Sequence, residues 1–428
     1  MRRKSMRIWV FLIAAALLLS ILTVCSAAKK GETLGLIIWK ADWLAGKQAQ
    51  CAAFEKKTGI KIVPEVIPGG PEGENLVRTR AATNDLPDLV FWFSGANFPG
   101  INPTSTLLDL TKEKFLSRID ASYQAIVTED GKVFGVPAGP ALAGGWLYNR
   151  KVYAQLGLKV PITWAELLAN CEKIKAAGKT PIVAPYKDQW TSQLIWLEDF
   201  YYVNKADPKF AGLYTQNKIR FVDSPAMVRS FEKLDQVFKK GYLNKDFLSL
   251  TYDEGCRMLA DGSGAQFPMA TWALSNIAQK YPDKINDIGM FAQPGDDAKV
   301  NGLTMWMPWA YFISKNSKNV SAAKKFLAYI VSPEGIRTYI QAEKPSGPFM
   351  VKGVKLPADS YPSVIDAMKY INRGLTSPAM EFVCPVKGPN TAQICVEAGS
   401  GIKSPKEAAA AIDKDNEQYA KQIKLPGW

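Results

Sequence analysis

Histidine does not occur once in these 428 residues. Its absence removes the commonest general base near neutral pH and the commonest metal ligand, and with them every Ser-His-Asp or Cys-His arrangement. A hydrolase that needs only two carboxylates, such as a glycosidase, is left standing. Cysteine is scarce, six in all, with no Cys-x-x-Cys pair and no zinc spacing. No metal and no cofactor is therefore expected. After residue 24 no apolar run approaches the ~20 residues needed to span a bilayer. Basic clustering is missing too. The formal charge is +13, yet Lys56, Lys57, Lys173, Lys175, Lys239, Lys240, Lys324 and Lys325 are scattered along helices with no basic and aromatic stripe. Solvated helix faces account for them better than a nucleic-acid partner does. Gly399-Ser400-Gly401-Ile402-Lys403-Ser404 lacks the adjacent Gly-Lys-Ser/Thr of a phosphate loop. Asp413-Lys414-Asp415-Asn416 lacks the glycine and distal glutamate of a calcium loop.

What is present begins with an export signal. Arg2, Arg3, Lys4 and Arg7 precede the apolar stretch Ile8 to Val24, and Ser26-Ala27-Ala28 offers small residues for cleavage before Lys29. The expectation is a signal over residues 1–28 and an exported, soluble, monomeric chain. Cys25 opens a second reading, acylation as a lipoprotein, although Val24 stands where Gly, Ala or Ser is usual. Cys51, Cys171 and Cys256 fall on predicted helices as small buried thiols. Cys384 and Cys395 flank a Pro/Gly loop in a compartment that permits disulfides, and a bridge between them is one of two open readings.

The mature chain alternates strands and helices. Thr33 to Trp39 is a compact apolar run of buried-strand size. A helix through Cys51, Phe54 and Glu55 follows and stops at Thr58-Gly59; strands Ile60 to Val66 and Leu89 to Trp92 flank the helix Asn75–Thr83. Such spacing predicts βαβ units and a largely parallel sheet. Ligands then lie beyond the carboxyl ends of the strands, which places Trp39–Trp43 and Trp92–Asn97 on one rim. Thr163 and Glu166 have the spacing of a capping box opening the helix Trp164–Ala177. Further helices are predicted at Trp190–Tyr202, Pro225–Lys240, Tyr252–Ala260 and Ser321–Ile330, with strands at Ala265–Ala270, Ile288–Phe291 and Ala310–Lys315.

The run Gly144-Gly145-Trp146-Leu147-Tyr148-Asn149, the segment Phe54-Glu55 to Thr58-Gly59, Pro87-Asp88 before a strand, Thr271-Trp272-Ala273-Leu274-Ser275, and Lys324-Lys325-Phe326-Leu327 before Ser332-Pro333-Glu334-Gly335 occur in the order found in a known family. In these features the chain resembles the extracellular solute-binding proteins of bacterial ABC transporters, most closely the carbohydrate-binding group that includes maltose-binding protein. The resemblance implies an α/β, two-lobed periplasmic-binding-protein type II-like fold with a ligand cleft at the hinge. It implies crossovers near Ala138–Ala143, Gly302–Met305 and Lys344–Phe349, one lobe comprising 30–139 and 304–345, and another comprising 140–303 and 346–428. It also implies a sugar or oligosaccharide ligand, ABC permease subunits as partners, location in the periplasm or on the outer face of the cytoplasmic membrane, and no catalysis.

Sugar recognition needs flat aromatic faces and planar polar groups in a pre-formed cleft. Twelve tryptophans are available. The resemblance puts Trp272 first as a stacking residue, then Trp92, with Asp42 binding hydroxyls and Trp43 beside it. Trp146, Trp190 and Trp306 lie near the crossovers, and Ser94 and Asn97 on the second rim loop. Trp164 and Trp196 read as core, since most tryptophans are largely buried. Gly95-Ala96 replaces a charged pair of maltose-binding protein and no aromatic stands near Pro389-Asn390-Thr391, so maltose itself is not implied. Two alternatives remain open: a secreted glycosidase using Glu198 and Asp199, which neighbour each other on a helix and point apart, and a non-sugar solute such as a glycerol phosphodiester.

Overall fold

The computed structural model describes residues 32–428. The export signal, its cleavage site and Cys25 lie outside the described residues. The chain opens with β1 (Thr33–Trp39), α1 (Ala45–Thr58), β2 (Lys61–Ile67), α2 (Gly70–Ala82) and β3 (Leu89–Trp92). A hairpin of β4 (Thr128–Glu129) and β5 (Lys132–Val133) leads to β6 (Gly135–Pro137). Then come β7 (Leu142–Gly144), β8 (Trp146–Asn149), α3 (Trp164–Ala176), β9 (Thr180–Ile182) and α4 (Leu194–Glu198). The second half holds α5 (Pro225–Lys239), α6 (Tyr252–Asp261), β10 (Gly264–Pro268), α7 (Ala273–Lys280), β11 (Ile288–Phe291), β12 (Leu303–Trp306) and β13 (Ala310–Ile313). Helices α8 (Val320–Ile330), α9 (Pro333–Ala342) and α10 (Pro362–Ile371), strand β14 (Thr376–Pro378) and helix α11 (Pro405–Gln422) complete the order used below.

Lobe one is built on the sheet β2-β1-β3-β13-β6. Leu34, Leu36, Ile37 and Ile38 are fully buried, as expected of a strand covered on both faces. Helix α1 ends where Gly59, at φ 72°, takes the left-handed conformation and donates its N–H to the Glu55 carbonyl. Lobe two carries the sheet β11-β8-β10-β9. The expected capping box is present: Thr163 Oγ1 accepts from the Glu166 N–H while the Glu166 carboxylate accepts from the Thr163 N–H.

Both sheets are largely parallel, as expected, each with one reversed strand, β13 in lobe one and β8 in lobe two. Strand β1 runs parallel to β2 and β3, but β13 is antiparallel to both β3 and β6. In lobe two β8 is antiparallel to β10 and β11, and only the β9–β10 pair is parallel. The reason lies in the connectivity. Strands β8 and β13 enter their sheets from the other lobe, so no crossover helix sets their direction.

A third sheet, β14-β12-β7, occupies the junction. Two stretches expected as bare crossovers thus pair with each other, Thr304 opposite Gly144 and Trp306 opposite Leu142. Packing shows where the chain passes between lobes. Ala138 belongs to the lobe-one core and Leu142 packs on lobe two. Trp306 belongs to lobe two, while Met307 and Trp309 pack on lobe one. Phe349, Met350, Val351 and Val354 still pack with lobe one, and Leu356 and Tyr361 pack with lobe two. Around the third expected passage Pro140 bridges to Phe349 and Ile119 to Val351, while Ser346 Oγ lies 3.1 Å from Ser275 Oγ, so this segment runs along the junction.

Two more expectations change. The helix foreseen at Trp190–Tyr202 is broken into a 3₁₀ turn Gln189–Gln193, α4, and a helix Phe200–Ala206 after Asp199. No bridge joins Cys384 and Cys395: both are free, buried thiols, and Cys384 Sγ accepts a hydrogen bond from Thr215 Oγ1 at 3.5 Å.

Candidate ligand-binding site at the junction of the lobes

Strand β10 is buried along its whole length and delivers the chain to Thr271. Thr271 is pinned to the first passage at both of its groups: its N–H donates to the Ala143 carbonyl at 2.9 Å, and its Oγ1 accepts from the Ala143 N–H at 3.1 Å. Trp272 follows as the N-cap residue of α7, and Ala273-Leu274-Ser275 is the first turn of that helix. A fixed strand end and a helix start thus hold one indole between them. Trp272 is half-buried, with Trp190 at 6.1 Å and Trp306 at 5.4 Å between ring centroids. Tyr252 extends the row beyond Trp190 at 5.1 Å, and Phe382 beyond Trp306 at 6.0 Å. Trp190 is 39 % exposed at the open end, and Trp306 is 9 % exposed at the deep end.

Trp306 is anchored from behind. Its indole N–H donates to Glu198 Oε1 at 2.9 Å, and the Thr304 hydroxyl bonds the other oxygen of that carboxyl. Glu198 is fully buried. Burial pushes its carboxyl well above the ordinary range; the Trp306 hydrogen bond opposes this, and the neighbouring Glu381 and Asp199 carboxyls reinforce it. Asp199 faces elsewhere, into a buried ion pair with Lys233 at 2.6 Å, and accepts from Gln293 Nε2 at 2.8 Å. The two carboxyls are engaged on different sides and do not flank a common cleft, so the foreseen glycosidase pair is not assembled.

On the lobe-one side, Asp42 ends the 3₁₀ turn that follows β1. It is half-buried; desolvation raises its carboxyl, Lys47 pulls it back and Glu343 pushes it further up. Trp43 is half-buried against the lobe-one core, and its N–H donates to the Trp39 carbonyl at 3.0 Å. Glu343 ties the two walls together. One oxygen accepts from the Gly46 N–H at the start of α1, and the other from Ser275 Oγ, one turn along from Trp272, both at 2.9 Å. Ser275 Oγ also lies 3.1 Å from Ser346 Oγ. Farther along the junction the lobes touch: a side-chain carbon on Gly95 would stand 2.7 Å from the Phe382 ring.

Trp272, Trp190 and Trp306 are therefore brought together, with Asp42 and Trp43 across the Glu343 clasp. Others foreseen at the site are not. Trp92 is fully buried; its N–H donates to the Asn97 carbonyl at 3.0 Å and Arg78 lies over its ring at 5.7 Å, so it is a core residue. Trp146 is fully buried as well, stacked on Phe291 with its N–H on Gln293. The Ser94 hydroxyl is committed to the Pro308 carbonyl at 2.9 Å. Asn97 is half-buried and contributes its carbonyl to Trp92. Lys47, Glu343 and Phe382 went unforeseen, and nothing local in the sequence marks them. Two small voids lie within the lobes, one between Trp196 and Cys384, the other between Gln50 and Phe349, and neither is lined by the tryptophan row.

Comparison with known proteins agrees with this architecture. The profile of the bacterial extracellular solute-binding protein family matches residues 40–336. The multiple sugar-binding protein of Streptococcus mutans is 27 % identical over 67 % of this chain and 67 % of its own. The melibiose/raffinose/stachyose-binding protein MelE of Bacillus subtilis is 27 % identical over 82 % of this chain and 84 % of its own. Among solved structures, the solute-binding protein RafE in complex with raffinose superimposes with a TM-score of 0.75 at 22 % identity, covering 92 % of this chain and 99 % of RafE.

Proposed function

The chain belongs to the bacterial extracellular solute-binding proteins, and from that premise we propose that it captures a sugar or oligosaccharide outside the cytoplasm and delivers it to an ABC importer. The observation that carries this reading is the row Trp190–Trp272–Trp306, graded from exposed to buried, with the carboxyl of Asp42 across the Glu343 clasp. An aromatic row offers flat apolar faces to the C–H surface of successive rings, and a carboxylate accepts from ring hydroxyls; few polar groups in a mostly apolar cleft are the usual form of such sites. The similarity to sugar-binding relatives supports the same ligand class.

Two lobes joined by three passages allow hinge closure on the ligand, and the closed form would dock on permease subunits of the membrane. No helix of the described residues is long and apolar enough to cross a membrane. Export with cleavage before Lys29 fits Ser26-Ala27-Ala28, with acylation of Cys25 as the competing anchor; intact-mass analysis of the exported chain separates them by a diacylglyceryl mass. The chain acts as a monomeric receptor without catalysis. Glu198 and Asp199, turned to different partners, support that over a glycosidase.

The test is a thermal-shift screen against mono- and oligosaccharides, with product analysis of the same incubations. A ligand at 100 times its Kd adds about 2.7 kcal/mol of stability. Stabilisation without a product is expected, together with a smaller radius of gyration in solution scattering. Release of shorter sugars would overturn the reading, as would a panel with no stabilising member.

A further inference from the structure

Lys47 sits in the third position of α1, five residues after Asp42, and is 6 % exposed. Among the described residues its ammonium makes no ion pair and no hydrogen bond; it lies over the face of Phe91, 5.4 Å from the ring centroid. A side-chain carbon on Gly139 would stand 4.0 Å from Nζ, so the ammonium abuts the first passage between the lobes. Asp42 feels it electrostatically, and Glu343, which holds the neighbouring Gly46 N–H, feels Asp42. Most of this side chain is out of water, so acceptor oxygens that reach its ammonium would restore lost hydration, of which a cation over an aromatic ring recovers only part.

We propose that Lys47 is a ligand-binding residue of the lobe-one wall and that, with Asp42, it grips one neutral vicinal diol of a sugar ring. Resting on the receptor reading above, this inference narrows its substrate class. Lys47 Nζ donates to a hydroxyl oxygen, and the adjacent hydroxyl donates to the Asp42 carboxyl, so one diol satisfies both groups. The local charge is one ammonium against the carboxyls of Asp42 and Glu343. That balance favours an uncharged sugar over a uronic acid or a glycerol phosphodiester, whose added negative charge would face two carboxyls.

Titration calorimetry with raffinose and with galacturonate tests this on the exported chain. Lys47→Met keeps the length of the side chain and removes the charge. Raffinose affinity should fall at least tenfold while the melting temperature holds or rises, because a buried charge has gone. The double variant Lys47→Met, Asp42→Asn should lose less than the product of the two single losses, since both groups act on one diol. Lys47→Arg covers the case of a misfolded Met variant; a folded Arg variant with a tenfold loss supports the proposal, because a fork cannot take the place of a point donor. Raffinose binding within twofold of the unaltered chain in Lys47→Met overturns the proposal, as does a lower melting temperature with unchanged affinity, fully multiplicative losses, or tighter binding of galacturonate than of raffinose. If the unaltered chain binds no member of the sugar panel, the receptor reading falls first and takes this inference with it.

Discussion

Both lobes gather tryptophans at the ends of sheet strands, and the two gatherings do opposite things. In lobe one, Trp39, Trp92, Phe93 and Trp309 pack with centroids 4.3 to 5.9 Å apart, every ring against several others. In lobe two, Trp190, Trp272 and Trp306 form a row in which the central ring meets one neighbour on each side. In the lobe-one cluster Trp39 and Trp92 are sealed, with Arg78 over Trp92, while Phe93 and Trp309 are half-buried. The lobe-two row grades from Trp190, 39 % exposed, to Trp306, 9 % exposed, and is fixed from behind by Thr271 and Glu198. Aromatic content at a strand end therefore does not mark a binding platform. The platform proposed for lobe two differs in combining an anchored edge with a row that opens to solvent at Trp190, a property of the tertiary structure.

The largest effects test that contrast directly. Trp92→Ala should cost about 3–5 kcal/mol of folding stability, as for a buried aromatic in a tight core, while sugar affinity in the folded fraction stays unchanged. Trp272→Ala should show the reverse: a loss of about 2–4 kcal/mol in binding, roughly thirtyfold to a thousandfold in Kd, with little change in melting temperature. Chemical denaturation and calorimetry on both variants give the four numbers needed. If Trp272→Ala destabilises the fold and spares affinity, the lobe-two row is core and the contrast between lobes collapses.

Much of the architecture was legible in the sequence because it is written in local signals. The run Thr33–Trp39, the helix stop at Gly59 and the Thr163/Glu166 box stand where periodicity and capping placed them. The one reversed strand in each otherwise parallel sheet was not legible. Whether β13 runs with or against β3 depends on the chain returning from the other lobe, which no window of sequence encodes. The bridges from Pro140 to Phe349 and from Ile119 to Val351 were not legible for a similar reason, since each spans more than two hundred residues. At the site, Trp272 was signalled by its place after a strand, whereas Trp92 gave the same signal and is sealed. Lys47 looked like one more helix lysine. Its burial comes from the Phe91 face and the first passage, neither of which is near it in sequence.

A smaller effect probes the open end of the row. Trp190 is the most exposed of the three, and rim positions of a binding surface contribute less than central ones. Trp190→Ala should weaken an oligosaccharide by about 1 kcal/mol, roughly fivefold, and leave a monosaccharide untouched if the exposed ring serves an outer sugar. Titration with raffinose and with galactose distinguishes the two. Equal losses for both would place Trp190 against the same ring as Trp272 and remove the gradation along the row.

The smallest effect at neutral pH concerns the anchor behind Trp306. Burial holds the Glu198 carboxyl well above its ordinary range, so between its unfolded and folded values the native state keeps a proton that the unfolded chain has lost. Stability falls with pH wherever the native state binds more protons, so this contribution is complete below the unfolded value and is lost as pH rises through the folded one. Asp42 carries the same sign, which makes a bare melting curve ambiguous. Glu198→Gln isolates the term: the amide keeps an oxygen for the Trp306 indole and cannot ionise. The melting curves of parent and variant, followed from about pH 4 to pH 9, should run together at the acid end and separate as pH rises, the parent falling below the variant. Sugar affinity should stay level, since the indole remains anchored. Parallel curves would mean that Glu198 is already ionised in the native state and that Thr304 and Trp306 stabilise a buried carboxylate. The lobe-two row would then rest on a charge, and the lobe-one cluster, whose Trp92 is held by the backbone carbonyl of Asn97, would differ from it in electrostatics as well as in exposure.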